Sequence, residues 1–324
     1  MKLKVKNQQA PFTIQVEPTE GCNLGCKFCG LRGMKPKGTK PWKFMTIETA
    51  KRIADEIQRV GWKCKIVFAM HGEPTLNENL FKIVHIFRKR LPNAIFHIYT
   101  NGYAINRAKE VDDYVGKLFN AGINNIIVDC YSDNGDWNFV NKLDEYKHLV
   151  VKLEPGVPLY TNNQKPRIVL LPPIFKDDKN KATRRLANHA GAAAPLDHSF
   201  DNKRCTMPFR EMSIRWDGNI NLCCDDFRGE YPIASIHDRD IDDIWNDERY
   251  QAARIMLYNY SRDFKPCSGC TNVSVRVGFL PDSSGQESLP EITKEVKRLA
   301  QSVAKENKPL STIVKRPWEK ETEE

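Results

Sequence analysis

Phe12-Thr-Ile-Gln-Val-Glu17-Pro-Thr-Glu20-Gly-Cys22-Asn-Leu-Gly-Cys26-Lys-Phe28-Cys29 is the stretch from which the rest of the chain is read. A short β-rich run, Phe12–Val16, leads straight into three cysteines spaced C-x3-C-x2-C. Three thiolates on one tight loop can hold three corners of a cubane iron–sulfur cluster and leave the fourth iron open to a small molecule. A structural zinc site would want a fourth Cys or His close by. The next histidines, His71 and His85, lie far along the chain.

Outward from this loop, further runs rich in Val, Ile and Phe read as buried strands: Lys65–Phe68, Ile95–Tyr99, Asn125–Val128, Leu149–Leu153 and Arg167–Leu170. Amphipathic stretches separate the early ones. Thr46 reads as the N-cap of a helix over Ile47–Val60, with Gly61 as its stop. Glu78–Leu91, Ala108–Asn120 and Asp136–Tyr146 are the other helical stretches. Strand–helix alternation of this kind implies parallel strands joined by crossover helices, an α/β sheet or partial barrel. Active sites in such folds gather at the C-terminal ends of the strands.

The alternation stops near Lys176, where a polar and then small-residue-rich stretch reads as a linker or draped loop. Asp217-Gly218 between Ser213–Arg215 and Asn219–Leu222 signals a hairpin. Helices follow over Ile241–Asn259 and roughly Glu291–Lys305, and the last residues read as a frayed tail. Cys205, Cys223, Cys267 and Cys270 fall in this part. A hairpin plus a later C-x2-C suits a closed four-thiolate site, and spacing alone leaves structural zinc and a second iron–sulfur cluster both open.

Composition frames these motifs. The 324 residues are 40% hydrophobic and 28% charged, a globular balance, with 50 Lys+Arg against 41 Asp+Glu. No apolar run approaches the ~20 residues of a membrane helix. The first residues carry no secretory h-region, so the chain is expected in the cytoplasm (of the host, if viral). There, ten cysteines argue for metal or redox chemistry rather than disulfides. The net charge of +9 raises the prospect of an anionic partner.

With Phe28 in the aromatic position, the Cys22/Cys26/Cys29 loop resembles the signature of the radical S-adenosylmethionine (SAM) superfamily. His71-Gly72-Glu73-Pro74 resembles that family's Gly-Gly-Glu-Pro segment, with His71 replacing the first glycine. Thr100-Asn101-Gly102 ends the third strand, as in many members. The resemblance implies a partial (β/α)6 barrel at residues 10–185 and a [4Fe–4S] cluster held by Cys22, Cys26 and Cys29. It implies SAM contacts at Phe28, Gly72, Glu73, Pro74, Thr100 and Asn101, to which Asp129 and Ser132 are added as candidates after the fourth strand. It also implies an electron donor such as flavodoxin or ferredoxin. A charge-assisted bond from an ammonium group to the Glu73 carboxylate is the physical basis of its assignment.

The C-terminal string is similar to the auxiliary-cluster extension of SPASM/twitch members. That implies one auxiliary [4Fe–4S] cluster on Cys205, Cys223, Cys267 and Cys270, within a small domain at 205–280. A linker at 186–204 would precede that domain, and a helix and tail at 281–324 would follow it. Asn188-His189-Ala190-Gly191 is similar to an Asn-Arg-Ala-Gly string before that extension. Cys64 and Cys130 read as inert buried thiols. Cys224 and Asp225, beside a ligand, are the candidates for a direct part in catalysis.

The family's chemistry is reductive cleavage of SAM and abstraction of a substrate hydrogen atom by the 5′-deoxyadenosyl radical. Arg32, Lys35, Lys37, Lys40, Trp42 and Lys43 after the first cysteines suit phosphates and bases. The expectation drawn from them is isomerisation or modification of a nucleic-acid-linked substrate, such as an amino-acid adduct on thymine in viral DNA. A dehydrogenase or maturase acting on a small molecule or peptide is the alternative, and a zinc-ribbon binding module is the non-enzymatic one.

Overall fold

The computed structural model describes residues 9–26, 28–31, 42–131, 137–154, 164–173, 188–193, 203–272 and 291–303. Ser132 and the loop positions Arg32, Lys35, Lys37 and Lys40 lie outside them. The first half runs β1 (Thr13–Val16), β2 (Thr19–Glu20), β3 (Lys43–Phe44), α1 (Ile47–Val60), β4 (Lys65–Phe68), α2 (Leu80–Arg90) and β5 (Phe96–Thr100). It continues through α3 (Tyr103–Arg107), α4 (Val111–Ala121), β6 (Asn125–Val128), β7 (Val150–Lys152) and β8 (Arg167–Leu170). The second half holds α5 (Met207–Arg210), β9 (Glu211–Ile214), β10 (Asn219–Asn221), β11 (Pro232–Ser235), α6 (Ile241–Trp245), α7 (Glu248–Tyr258) and α8 (Lys294–Val303).

Local chemistry sets many of these boundaries. The Thr46 hydroxyl accepts the Thr49 N–H at 3.1 Å and starts α1. Gly61 ends that helix at φ 68°, its N–H on the Gln58 carbonyl, a conformation in which glycine carries no Cβ penalty. Between them Ala50, Ile53, Ala54 and Ile57 face inward.

A nine-stranded sheet, ordered β11-β10-β9-β1-β4-β5-β6-β8-β7, forms the spine of an α/β fold of partial TIM-barrel type with a C-terminal domain. From β9 through β7 every neighbouring pair is parallel, while β10 and β11 are antiparallel additions. Two features depart from simple alternation. β8 inserts between β6 and β7, so the last two strands exchange places. The hairpin of the second half joins the sheet directly, with β9 beside β1 in the register Thr13↔Glu211 to Val16↔Ile214.

The expected helix over Asp136–Tyr146 is absent from its described part, which forms a 3-10 turn at Asn138–Lys142. The side chains of the preceding helices explain why. Asn106 takes the Phe139 N–H, and Asp112 takes those of Asp144 and Tyr146, so these donors do not enter an α-helical ladder. The long helix expected over Ile241–Asn259 divides at Asn246. Asp247 caps the second piece by accepting the Arg249 N–H at 2.8 Å, the competition with helix that short polar side chains offer. No helix among the described residues is long and apolar enough to cross a membrane.

One face of the sheet meets the helices in the main core, which includes Ile14, Val16, Ile66, Phe68, Phe96, Ile98, Met212 and Ile214. Alternation puts Gln15, Glu211, Ser213, Val67, His97 and Tyr99 on the opposite face. There Ile127, Val169 and Leu171 form a separate apolar cluster with Tyr99 and Leu153. Phe68 is fully buried and meets Phe87 and Phe96 edge-on at 5.4 and 5.9 Å between ring centroids. Phe68→Ala is expected to destabilise the protein by about 3–5 kcal/mol, measured by urea unfolding.

Candidate functional site

The strand ends of β1, β4, β5 and β6 bring the first motifs together. Gly21, just before Cys22, forms a parallel bridge with Gly72, just after β4. The Gly21 N–H bonds the His71 carbonyl at 3.2 Å, and the Glu73 N–H bonds the Gly21 carbonyl at 2.9 Å. A Cβ on Gly72 would land inside the contact shells of Thr19 O and of the Gly21 backbone. Glycine at 72 is thus a condition of the two loops touching.

Glu73 is buried and gathers the loops around its carboxylate. Oε1 accepts from the Thr75 N–H at 3.1 Å, the Thr75 hydroxyl at 2.6 Å and the Thr100 hydroxyl at 2.7 Å. Oε2 accepts the Asn101 N–H at 2.7 Å. Burial pushes its pKa up against these bonds. With the Asn101 N–H on one of its two lone pairs, Oε2 keeps room for a further N–H. Pro74 opens the short 3-10 turn Pro74–Leu76 that carries Thr75. Asn101 reaches back to the cysteine loop, its Nδ2 3.6 Å from Cys22 Sγ and 3.0 Å from Asn23 Oδ1.

The three thiols of this loop are strongly coupled. Burial pushes Cys22 up to about 11 and Cys26 up to about 12. Cys29 adds to both shifts, Glu73 adds to that of Cys22, and Cys22 and Asp129 add to that of Cys26. Neighbouring buried thiolates repel one another until a cation compensates them, which is what a metal centre supplies. Phe28 lies against Tyr131 at 5.8 Å between rings, and Asp129 is tied by its N–H to the Thr100 carbonyl at 2.9 Å. The structure therefore brings Phe28, Gly72, Glu73, Pro74, Thr100, Asn101 and Asp129 to one end of the sheet.

The second set also converges. Burial raises the thiols of Cys223, Cys267 and Cys270, and each of them feels Cys205. Asn188 braces the C-x2-C turn: its Nδ2 donates to Gly269 O at 2.7 Å, and its Oδ1 accepts the Thr271 N–H at 2.9 Å. Asn188, inside the expected linker, thus packs against the cysteine turn.

Among the described residues no three cysteine sulfurs lie within 4.8 Å of one another. Among the described residues the one trio of potential metal-ligand atoms within 4.8 Å of one another is Glu56, Asp240 and Asp242. Its carboxylates are paired with Arg52 and Arg59.

A buried polar network joins the two sets, and nothing in the sequence pattern announced it. Glu17, fully buried, accepts the His71 N–H on Oε1 at 3.1 Å and the Trp216 N–H on Oε2 at 3.1 Å. Arg215 Nε lies 3.3 Å from Glu17 Oε2, and its Nη2 pairs with Glu20. Burial acts to raise Glu17, but Arg215 and His71 outweigh it and hold the carboxyl below its usual range.

Of the proposed catalytic candidates, Cys224 has its thiol raised well above the usual value by burial and hydrogen-bonded to Glu211. Asp225 is clasped by His189 Nδ1 at 3.2 Å and by Asn272 Nδ2. Burial works against its ionisation, and these partners reverse the balance, holding it low. Asp226 accepts the N–H groups of Glu230 and Tyr231 and so serves its own turn. Glu17, Glu20 and His71 lay within quoted motifs, but their partners are distant in sequence.

Comparison with known proteins places the chain. Residues 16–171 match the family model described as the radical SAM superfamily, and residues 205–271 match that of an iron–sulfur cluster-binding domain, SPASM. The chain is 25% identical over 265 residues to the S-adenosyl-L-methionine-dependent 2-deoxy-scyllo-inosamine dehydrogenase of Niallia circulans, covering 81% of this chain and 94% of that protein. It is 25% identical over 175 residues to the GTP 3′,8-cyclase of Pasteurella multocida, covering 54% of this chain and 49% of the other. The crystal structure of BtrN with AdoMet and 2-DOIA superposes with a TM-score of 0.63 at 22% identity, over 82% of this chain and 95% of that one.

The site makes two predictions. Replacing Cys22, Cys26 and Cys29 together by Ala should lower the iron content after anaerobic reconstitution from about eight to about four per chain. Gly72→Ala should also remove about four irons and abolish SAM cleavage, because the cysteine loop can no longer dock. Chemical iron assay and 5′-deoxyadenosine release check both.

Proposed function

We propose that this chain, which belongs to the radical SAM superfamily and carries a SPASM-type iron–sulfur domain, is a dehydrogenase of a small, hydroxyl- or amine-bearing molecule. The observation that carries the reading is its alignment with nearly the full length of a SAM-dependent dehydrogenase. The radical SAM domain binds a [4Fe–4S] cluster and SAM, and the SPASM domain binds an auxiliary iron–sulfur cluster. Cys22, Cys26 and Cys29 are proposed to hold the first, and Cys205, Cys223, Cys267 and Cys270 an auxiliary [4Fe–4S] cluster. When bound, these groups supply a radical that takes a substrate hydrogen atom and an acceptor for the electron the oxidised substrate gives up.

The chain's own residues supply positioning. The remaining acceptor site on Glu73 Oε2 suits the ammonium of SAM, and Asn101 fixes Glu73 and Cys22 relative to each other. Phe28 is proposed to flank the adenine, with Asp129 and Ser132 toward the ribose. On the sheet face opposite the main core, Gln15 Nε2 donates to Glu211 Oε1 at 2.8 Å, and the Cys224 thiol bonds the same carboxylate. An amide and a carboxylate side by side suit hydroxyl and amino groups. Cys224 and Asp225 stay as candidates to pass a hydrogen or proton there.

The nucleic-acid reading has less behind it, and none of the relatives reported above is named for DNA modification. Lys43, one of its basic residues, lies 3.4 Å from Glu20 and over the Trp216 ring. Trp42 packs against Gly21. Both are drawn into the site's own scaffold.

The test is anaerobic turnover of carbon-deuterated amino cyclitols and sugar alcohols with reductant, with flavodoxin or ferredoxin as the alternative electron donor. The reading expects deuterium in 5′-deoxyadenosine, one 5′-deoxyadenosine per product, and a product lacking two hydrogens. A product of unchanged mass, or turnover only of DNA-linked substrates, would refute it.

A further inference from the structure

We infer that His71 is a positioning residue that clamps the loop carrying the auxiliary-cluster cysteines onto the loop carrying the SAM-side cysteines. Its side chain is fully buried. Nε2 lies 2.7 Å from the Cys224 carbonyl oxygen. A carbonyl only accepts, so Nε2 carries the proton and donates. Nδ1 lies 2.9 Å from Glu17 Oε1.

The ring also packs against an aromatic neighbour. Phe227 lies tilted against it, with 4.2 Å between ring centroids, and is 4.7 Å from the His189 ring. Arg215 reaches the Phe227 carbonyl at 3.4 Å while staying on Glu17. The imidazole therefore has partners at the end of β1 (Glu17) and in the loop after Cys223 (Cys224 and Phe227).

The order of contacts gives this its meaning. Cys22 follows Gly21, which is bridged to Gly72. Gly72 follows His71, whose ring holds Cys224, the neighbour of Cys223. From one cysteine set to the other, the link is a bridge, one hydrogen bond and three peptide bonds. Position 72 has no room for a side chain, so position 71 is where a side chain can leave this strand end toward the second loop. A glycine there, as in the motif this segment resembles, would leave the Cys224 carbonyl without its donor.

The inference rests on the two-cluster reading and is tested apart from the dehydrogenase reading. In a chain with Cys22, Cys26 and Cys29 replaced by Ala, the auxiliary cluster is observed alone by electron paramagnetic resonance and redox titration. His71→Gly is expected to shift its g values and lower its midpoint potential. His71→Gln keeps an N–H donor near the same carbonyl and is expected to stay close to the parent. In the full chain, His71→Gly should raise the 5′-deoxyadenosine released per product on the order of tenfold or more, since misplaced reacting groups uncouple cleavage from turnover.

An unchanged spectrum and potential in His71→Gly would overturn the clamp. So would a shift in His71→Gln as large as in the glycine variant, which would mark bulk rather than donation. Should His71→Gly fail to retain iron, the glutamine variant decides alone: a parent-like spectrum supports the clamp and an altered one overturns it. Failure to oxidise any small substrate would count against the dehydrogenase reading and leave the spectroscopic comparison standing.

Discussion

A single buried carboxylate, Glu17 at the end of β1, holds three separated parts of the chain in register. Its oxygens take N–H groups from the β4 loop and from the β9–β10 hairpin, and the Arg215 guanidinium lies against it. A charge at zero exposure survives only when paired and fully hydrogen-bonded, and removing one partner of such a pair costs about 3–5 kcal/mol. Glu17 meets that condition only if the three parts come together. Once they do, the two sets of cysteines are fixed relative to each other.

The sheet gives the same result by different means. β9 pairs with β1 along its whole length, so the second half grows from the edge of the first. A rigid spacing between the two cysteine loops is what the proposed reading requires, with one loop holding the cluster that cleaves SAM and the other the auxiliary cluster. Electrostatics concentrate there as well. The buried cysteines repel one another as thiolates, and Glu73 is buried with its bonding capacity nearly filled. These buried groups gain from nearby positive charge, which the proposed reading supplies as cluster iron and as the ammonium of SAM.

What was legible in the sequence is what depends on near neighbours. The C-x3-C-x2-C spacing, the Thr46 cap, the Gly61 stop and the strand at Lys65–Phe68 all work through residues a few positions apart. The structure places the cap, the stop and the strand where the pattern put them. The exchange of β7 and β8 and the joining of β9 to β1 were not legible, because strand order is decided by packing across the sheet. The helix expected at Asp136–Tyr146 gave way to side chains of Asn106 and Asp112, which lie 33 and 32 positions before the groups they bond at Phe139 and Asp144. His71 read as a departure from a motif, and only its partner at Cys224, 153 positions away, gives it a role. Asn188 is similar: its partners Gly269 and Thr271 lie beyond any local pattern.

The central claim is that one cysteine set leaves an iron open to SAM and the other closes its cluster completely. Mössbauer spectroscopy of iron-57-reconstituted protein, with and without SAM, tests it most directly. The account predicts a changed isomer shift at about one iron in eight, with the second cluster unaffected. A response at both clusters, or at neither, would contradict it.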